Sequence, residues 1–206
     1  CKMYSFGAII LAAGLSRRMG ARNKLLLPIN GKPMVRYVVE TYLAVVDAQI
    51  CVVTGFEADK IEAALAGLPV QFAHNSDYEA GQPFSVSTGL LAAPTNASNY
   101  LIGLGDQPQL TTDELRAFIT AHLMADVQKI SIPHQNTTRG NPIVVPAAMR
   151  ARLLADEANP GCGKFTRAHP ELAQHITMTQ AGFFTDIDTP AAFEAFEQMI
   201  PQKDLT

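Results

Sequence analysis

Cysteine is scarce in this chain. Its 206 residues include three, Cys1, Cys51 and Cys162, which form no CxxC pair and no disulfide framework, so a reducing compartment and a cytoplasmic location are expected. Excess charge is also missing. Charged residues make up 17% and the formal net charge is −3, which excludes the basic surplus of a general nucleic-acid binder. No apolar run approaches the roughly 20 residues that span a bilayer, and no signal-peptide layout precedes the first strand pattern. Neither nucleic acid nor membrane is therefore expected as a partner. Met3 reads as a natural start, with Cys1 and Lys2 as added residues. Repeats, low-complexity segments and long Pro/Gly/Ser linkers are absent too, which predicts one domain over 1–206.

Several familiar site signatures are also missing. Gly31-Lys32 and Gly163-Lys164 lack the Ser or Thr that a Walker P-loop needs, and no GxGxxG occurs. The five histidines, His74, His122, His134, His169 and His175, show no metal-ligand spacing. His122 falls on an apolar helical stripe and reads as packed.

What is present is a 48% hydrophobic chain, long enough to bury a core unaided. Short apolar runs, the pattern of strands covered on both faces, recur at Gly7–Ala12, Ile50–Thr54, Val70–His74, Tyr100–Gly105 and Lys129–Pro133. Between them lie helical patterns at Met34–Val46, with Pro33 suited to the first turn, and at Ala58–Leu65. A further helix is opened by the capping box Thr111-Thr112-Asp113-Glu114, with Leu115, Phe118, Ile119 and Leu123 as its buried stripe. This alternation predicts an α/β sandwich around a mostly parallel sheet. Ligands of such sheets sit beyond the carboxyl ends of the strands.

The first run ends in small residues and then cations: Leu11-Ala12-Ala13-Gly14-Leu15-Ser16-Arg17-Arg18-Met19-Gly20, followed by Lys24. Small residues leave backbone amides open to close approach. Arginine offers a planar fork and lysine a point charge to phosphate oxygens. The stretch reads as a polyphosphate-holding loop, or as a basic surface turn. Gly105-Asp106-Gln107-Pro108 places a carboxylate just after a strand, where it could hold Mg²⁺ or simply close a turn. In Thr185-Asp186-Ile187-Asp188-Thr189-Pro190, Thr189 and Pro190 read as cap and first turn of a helix pinned by Phe193 and Phe196. Capping leaves Asp186 unexplained. Arg139-Gly140-Asn141-Pro142 reads as a hairpin turn or as a reader of a polar heterocycle or its phosphate. Gly81–Ser87, containing Ser85, is polar and helix-opening, which suits an anion.

Four of these stretches, the loop from Leu11 to Lys24, Gly105-Asp106-Gln107-Pro108, Arg139-Gly140-Asn141-Pro142 and Asp186-Ile187-Asp188-Thr189-Pro190, in that order along the chain, together resemble the MobA-like nucleotidyltransferases. Ala12-Ala13-Gly14 and Lys24-Leu25-Leu26-Leu27-Pro28 are most similar to the molybdenum cofactor cytidylyltransferase type. The resemblance implies a Rossmann-like three-layer sandwich, nucleotide-diphospho-sugar transferase-like. It implies an enzyme that moves CMP from CTP to the terminal phosphate of molybdopterin and releases pyrophosphate. Carried over by position, Arg18, Lys24 and Asp106 would be catalytic. Leu11, Ala12, Ala13, Gly14 and Ser16 would line the nucleotide with Arg18 and Lys24. Asp106 and Asp188 would hold Mg²⁺ or Mn²⁺, and Asp186, Asp188, Arg139, Asn141 and Ser85 would face the acceptor. Ala13 stands where the guanylyl type has glycine, and its methyl is expected to narrow the base pocket toward a pyrimidine. The implied protein partner is a client molybdoenzyme or its chaperone. The stretch Gly161-Cys162-Gly163-Lys164 departs from the family's Gly-Asp-x-Gly pattern, and Asn141 replaces a frequent histidine. Both departures bear on the acceptor. The remaining readings are a sibling transferase using GTP or a sugar or polyol phosphate, and a non-catalytic nucleotide or pterin carrier.

Overall fold

The computed structural model describes residues 3–200, so the expectation for Cys1 and Lys2 lies outside the described residues. β1 (Phe6–Ala12) is followed by a short hairpin, β2 (Pro28–Ile29) and β3 (Lys32–Pro33), and then by α1 (Met34–Leu43), β4 (Ile50–Thr54), α2 (Ala58–Ala64) and β5 (Val70–His74). Next come α3 (Gln82–Ala92), β6 (Asn99–Leu104), α4 (Thr112–Met124), β7 (Ile130–Gln135), β8 (Thr138–Arg139) and β9 (Ile143–Pro146). The chain closes with α5 (Arg150–Ala155), α6 (Gly161–Ala168), β10 (Ala173–Thr177) and α7 (Pro190–Met199).

The main sheet runs β10-β7-β9-β6-β1-β4-β5, with β8 paired to β7. β1 is parallel to both β4 and β6, and only β9 and the short β8 run against their neighbours. The sheet is mixed, mostly parallel, with helices on both faces, as the alternation predicts. Strand order reverses at β1. A crevice opens there because the chain leaves β1 toward one side of the sheet and reaches β6 on the other.

Alternation along β1 builds both faces. Ala8, Ile10 and Ala12 enter a core with Val35, Val39 and Phe118, while Ile9, Leu11 and Ala13 enter a second core with Val86, Leu90 and Phe165. This follows from the period of two in a strand. Helix α3 lies very close to the sheet at Gly89, where an added Cβ would come within 2.4 Å of Ile9. That proximity sets the amino end of α3 beside the end of β1.

The helix and strand expectations held with adjustments. α1 stops at Leu43, and Pro33 is its N-cap residue in β3, outside the first turn. The Thr111–Glu114 capping box forms in full. The buried stripe of α4 includes His122, as its place on the apolar stripe implies, but leaves Leu123 39% exposed. His122 fits inside because Ser131 Oγ lies 2.7 Å from its Nδ1 and Phe6 meets its ring edge-on. Burial holds its pKa below the ordinary value, so the ring stays neutral. β10 went unread because it is a half-exposed edge strand without a clean alternation. Cys51 and Cys162 are buried free thiols, pushed by burial up to about 11 and about 12. Among the described residues no helix is long and apolar enough to cross a membrane.

Candidate active site

A cavity of about 430 Å³ lies at the reversal point, walled by the ends of β1 and β6 and by the start of α3. The loop after β1 forms its floor. Ser16 takes a left-handed backbone (φ 52°), and its Oγ accepts a hydrogen bond from the Lys24 amide at 3.2 Å. The Asn23 side chain caps the short turn Lys24–Leu26, and Leu25 anchors that turn in the core. The polar loop is thereby folded back over the strand end, and Lys24 is aimed inward.

Lys24 Nζ donates to Asp106 Oδ2 at 2.6 Å and to Asp188 Oδ1 at 2.5 Å, while Arg18 donates to Asp188 Oδ2 at 2.7 Å. Asp106 is delivered by β6, whose pairing with β1 continues through Gly105 N–H to Leu11 C=O. Asp188 arrives from far along the chain. Its neighbour Ile187 is buried, and the Ile187 amide donates to the Asp106 carbonyl at 2.9 Å. The acidic pair does not follow a strand. It lies between a turn at Ala181–Phe183 and α7, whose N-cap is Thr189. Asp186 also lines the cavity, and its carboxylate accepts from Gln107 Nε2 at 2.7 Å.

Three carboxylates near one buried ammonium set the electrostatics. Burial pushes the Asp106 carboxyl above its ordinary range despite Lys24, and the charges of Asp186 and Asp188 add to the rise. Burial pulls Lys24 down, but Asp106 and Asp188 outweigh it and hold the ammonium above its ordinary value. Lys24 is therefore charged throughout the neutral range. Asp106 Oδ1 is buried with no hydrogen-bond partner, and a buried acceptor left in that state is costly. A divalent cation would satisfy it. No cluster of three or more His, Cys, Asp or Glu among the described residues is disposed to hold a metal alone. Magnesium, however, commonly takes one or two carboxylates and completes its shell with substrate phosphates and water. Asp106 and Asp188 fit that donor set.

Leu11, Ala13, Gly14, Ser16, Arg18, Lys24, Asp106, Asp186 and Asp188 all line this one cavity. Ala12 does not. Its methyl enters the opposite core, because it sits one step out of phase with Leu11 and Ala13. Ser85 lines the same cavity, its Oγ accepting from Asn75 Nδ2 at 3.0 Å, whereas Arg139 and Asn141 line a neighbouring one. Thus the residues expected on the acceptor side fall on two cavities. Sequence reasoning missed Arg17, Tyr78, Gln82 and Gln107. Arg17, Gln82 and Gln107 lie within stretches that the sequence singles out, whereas Tyr78 carries no local signal.

The chain and its fold have counterparts among known proteins. A family profile described as "MobA-like NTP transferase domain" matches residues 8–174. The chain belongs to the MobA-like NTP transferase family. Nicotine blue oxidoreductase of Paenarthrobacter nicotinovorans is 27% identical over 186 residues, 88% of this chain and 91% of that protein. The bifunctional protein GlmU of Pseudothermotoga lettingae is 31% identical over 139 residues, 66% of this chain. That match takes in only 30% of GlmU. Among solved structures, a Methanothermobacter nucleotidyl transferase superposes with a TM-score of 0.79 at 23% identity, covering 94% of this chain and 96% of the other. Rv0371C of Mycobacterium tuberculosis, solved in complex with manganese, gives 0.74 at 18% identity over 95% and 100%. The MobA-like chain is accordingly a nucleotidyltransferase, and a divalent metal has been found bound to a structural relative.

Proposed function

We propose that this MobA-like protein transfers CMP from CTP to the terminal phosphate of molybdopterin, releasing pyrophosphate. The observation that carries the reading is the Arg18–Asp188–Lys24–Asp106 network at the mouth of the cavity between β1 and β6. No protein nucleophile is required. The acceptor phosphate attacks the α-phosphorus in line, and catalysis consists of positioning and charge stabilisation.

Each residue then has a physical task. Arg17, Arg18 and Lys24 neutralise the triphosphate, and the ammonium of Lys24 turns from its carboxylates to the phosphate oxygens on its four-carbon arm. Gly14 and Ser16 bring backbone close to the nucleotide. Asp106 and Asp188 hold Mg²⁺ or Mn²⁺, which when bound offsets repulsion between two anionic substrates. Gln107 keeps Asp186 turned into the cavity. A client molybdoenzyme or its chaperone is the proposed recipient of the product.

Ala13 carries the base preference. It is buried at the cavity wall, packed so tightly that a Cβ on Gly55 would stand 2.9 Å from its methyl. Ala13→Gly removes that methyl and enlarges the wall. We expect the ratio of kcat/KM for GTP over CTP to rise by about tenfold, the order of magnitude of one methyl's worth of discrimination. An unchanged ratio in steady-state assays would remove Ala13 from the specificity argument.

The deciding experiment supplies purified protein with Mg²⁺ and each nucleoside triphosphate in turn, with molybdopterin, with sugar or polyol phosphates, or with no acceptor. Pyrophosphate that depends on both CTP and molybdopterin is the expected result. Release with GTP, or with a sugar or polyol phosphate, would establish a sibling transferase. Tight binding without any release would establish a carrier.

A further inference from the structure

Asp106 and Asp188 together have four carboxylate oxygens, and the protein's own cations hold three of them. Lys24 Nζ bridges the two residues, at 2.6 Å from Asp106 Oδ2 and 2.5 Å from Asp188 Oδ1, while Arg18 Nη2 takes Asp188 Oδ2 at 2.7 Å. The fourth oxygen, Asp106 Oδ1, is buried without a hydrogen-bond partner. A Mg²⁺ ion shared by both carboxylates needs an oxygen from each at about 2.0–2.1 Å. An ammonium lying between the same carboxylates fills that space. Two carboxylates and two cations also sum to no net charge, so the network as it stands offers a dication little attraction.

The two cations are held differently. The backbone of Lys24 is fixed, because Ser16 Oγ accepts from its amide, Asn23 Oδ1 accepts from the Leu25 amide, and Leu25 is buried. The Lys24 side chain is 12% exposed, which leaves solvent ions little way around it. Arg18 is 71% exposed and releases Asp188 at little cost. Both side chains line the cavity, with Arg17 beside them. A polyphosphate entering there meets the same cations that hold the carboxylates. The long, flexible arm of Lys24 then lets its ammonium change partner while the turn beneath stays in place.

We propose that Lys24, assisted by Arg18, is a place-holder that keeps free divalent metal off the Asp106–Asp188 pair until a polyphosphate draws the two cations away. The inference rests on the nucleotidyl-transfer reading and adds an order to it. Metal enters with the nucleotide or after it, not ahead of it. The two ligands are thereby coupled through Lys24, and each raises the other's affinity by the same factor.

The test titrates Mn²⁺ onto the full chain without nucleotide or acceptor and follows the electron paramagnetic resonance signal of the unbound ion. Lys24→Met is expected to bind Mn²⁺ at least about tenfold more tightly than the wild type. Lys24→Gln should show the same gain and covers a folding failure of the first variant. Adding Asp106→Asn to either should abolish the gain, which locates the ion at this pair. Excess Mn²⁺ should also raise the melting temperature of Lys24→Met by about 3–6 °C more than that of the wild type, the shift a tenfold affinity difference gives a chain of this size. A second arm adds CTP, with water-proton relaxation separating protein-bound Mn²⁺ from Mn²⁺ on free nucleotide. CTP should strengthen Mn²⁺ binding at least about tenfold in the wild type and less in Lys24→Met. Equal nucleotide-free affinities in the wild type and both lysine variants overturn the place-holder. Pyrophosphate release by the same wild-type preparation would then leave the transfer reading standing. If GTP draws the metal in where CTP does not, the place-holder stands and the base assignment falls.

Discussion

Asp106→Asn removes turnover by at least about 10³-fold while the protein melts within about 4 °C of the wild type. The first half follows from position. Asp106 is one of two carboxylates suited to hold the metal, and its Oδ1 is the buried acceptor with no partner in the free protein. An amide of the same shape keeps the packing but loses the charge, and a metal's contribution to a phosphoryl-transfer barrier amounts to several kcal/mol. The second half follows from protonation. Burial raises the folded-state pKa of Asp106 above 3.8, so its ionised form costs stability as pH rises through that raised value. Asparagine carries no such cost, and Lys24 keeps Asp188 as a partner. Pyrophosphate release and a thermal melt on one preparation test both halves. Wild-type-like release would refute the metal assignment.

Lys24→Met should be damaging to turnover and stability alike. Removing the ammonium leaves Asp106 and Asp188 facing each other, with Arg18, 71% exposed, as the nearest counter-charge to Asp188. Breaking a fully buried pair costs roughly 3–5 kcal/mol; some solvent reaches both carboxylates here, so about 2–3 kcal/mol is expected. Turnover should fall about 10²–10³-fold, the usual loss for a donor aimed at developing charge. The stability gap also has a signed pH dependence. Lys24 is raised above 10.5 in the folded state, so its contribution is full below that value and lost as pH rises through the folded pKa. The wild type and the variant should therefore converge in denaturant melts above about pH 10.5. A gap constant from pH 7 to pH 12 would mean that the charge of Lys24 is not what holds the segment.

The local code of the chain is unusually plain for the nucleotide half. Near-continuous apolar runs mark β1, β4 and β6, the capping box at Thr111 forms in full, and the small-residue loop with Arg18 and Lys24 lies at a strand end where ligands gather. Those signals arise within a few residues of one another, so propensity and spacing express them. Edge strand β10 and the exposure of Leu123 in α4 were not legible, because each depends on what packs across from it, whereas the packing of His122 was read from its place on the helical stripe. The side of the sheet that Ala12 faces was likewise a matter of phase in β1.

The sequence by itself determined the ingredients: an alternating α/β chain, a cationic loop after its first strand, and carboxylates at Asp106, Asp186 and Asp188. Only the tertiary structure decided how they combine. Asp188 reaches Lys24 across 164 positions because buried Ile187 pins the segment to the Asp106 carbonyl, a contact with no local signature. Tertiary packing also separated Arg139 and Asn141 from the first cavity and joined Arg139 to Lys164 and Arg167 around a second. The physical reason is the same in each case. A side chain's chemistry is written in its own residue, whereas its charge environment is set by neighbours that the chain brings in from elsewhere.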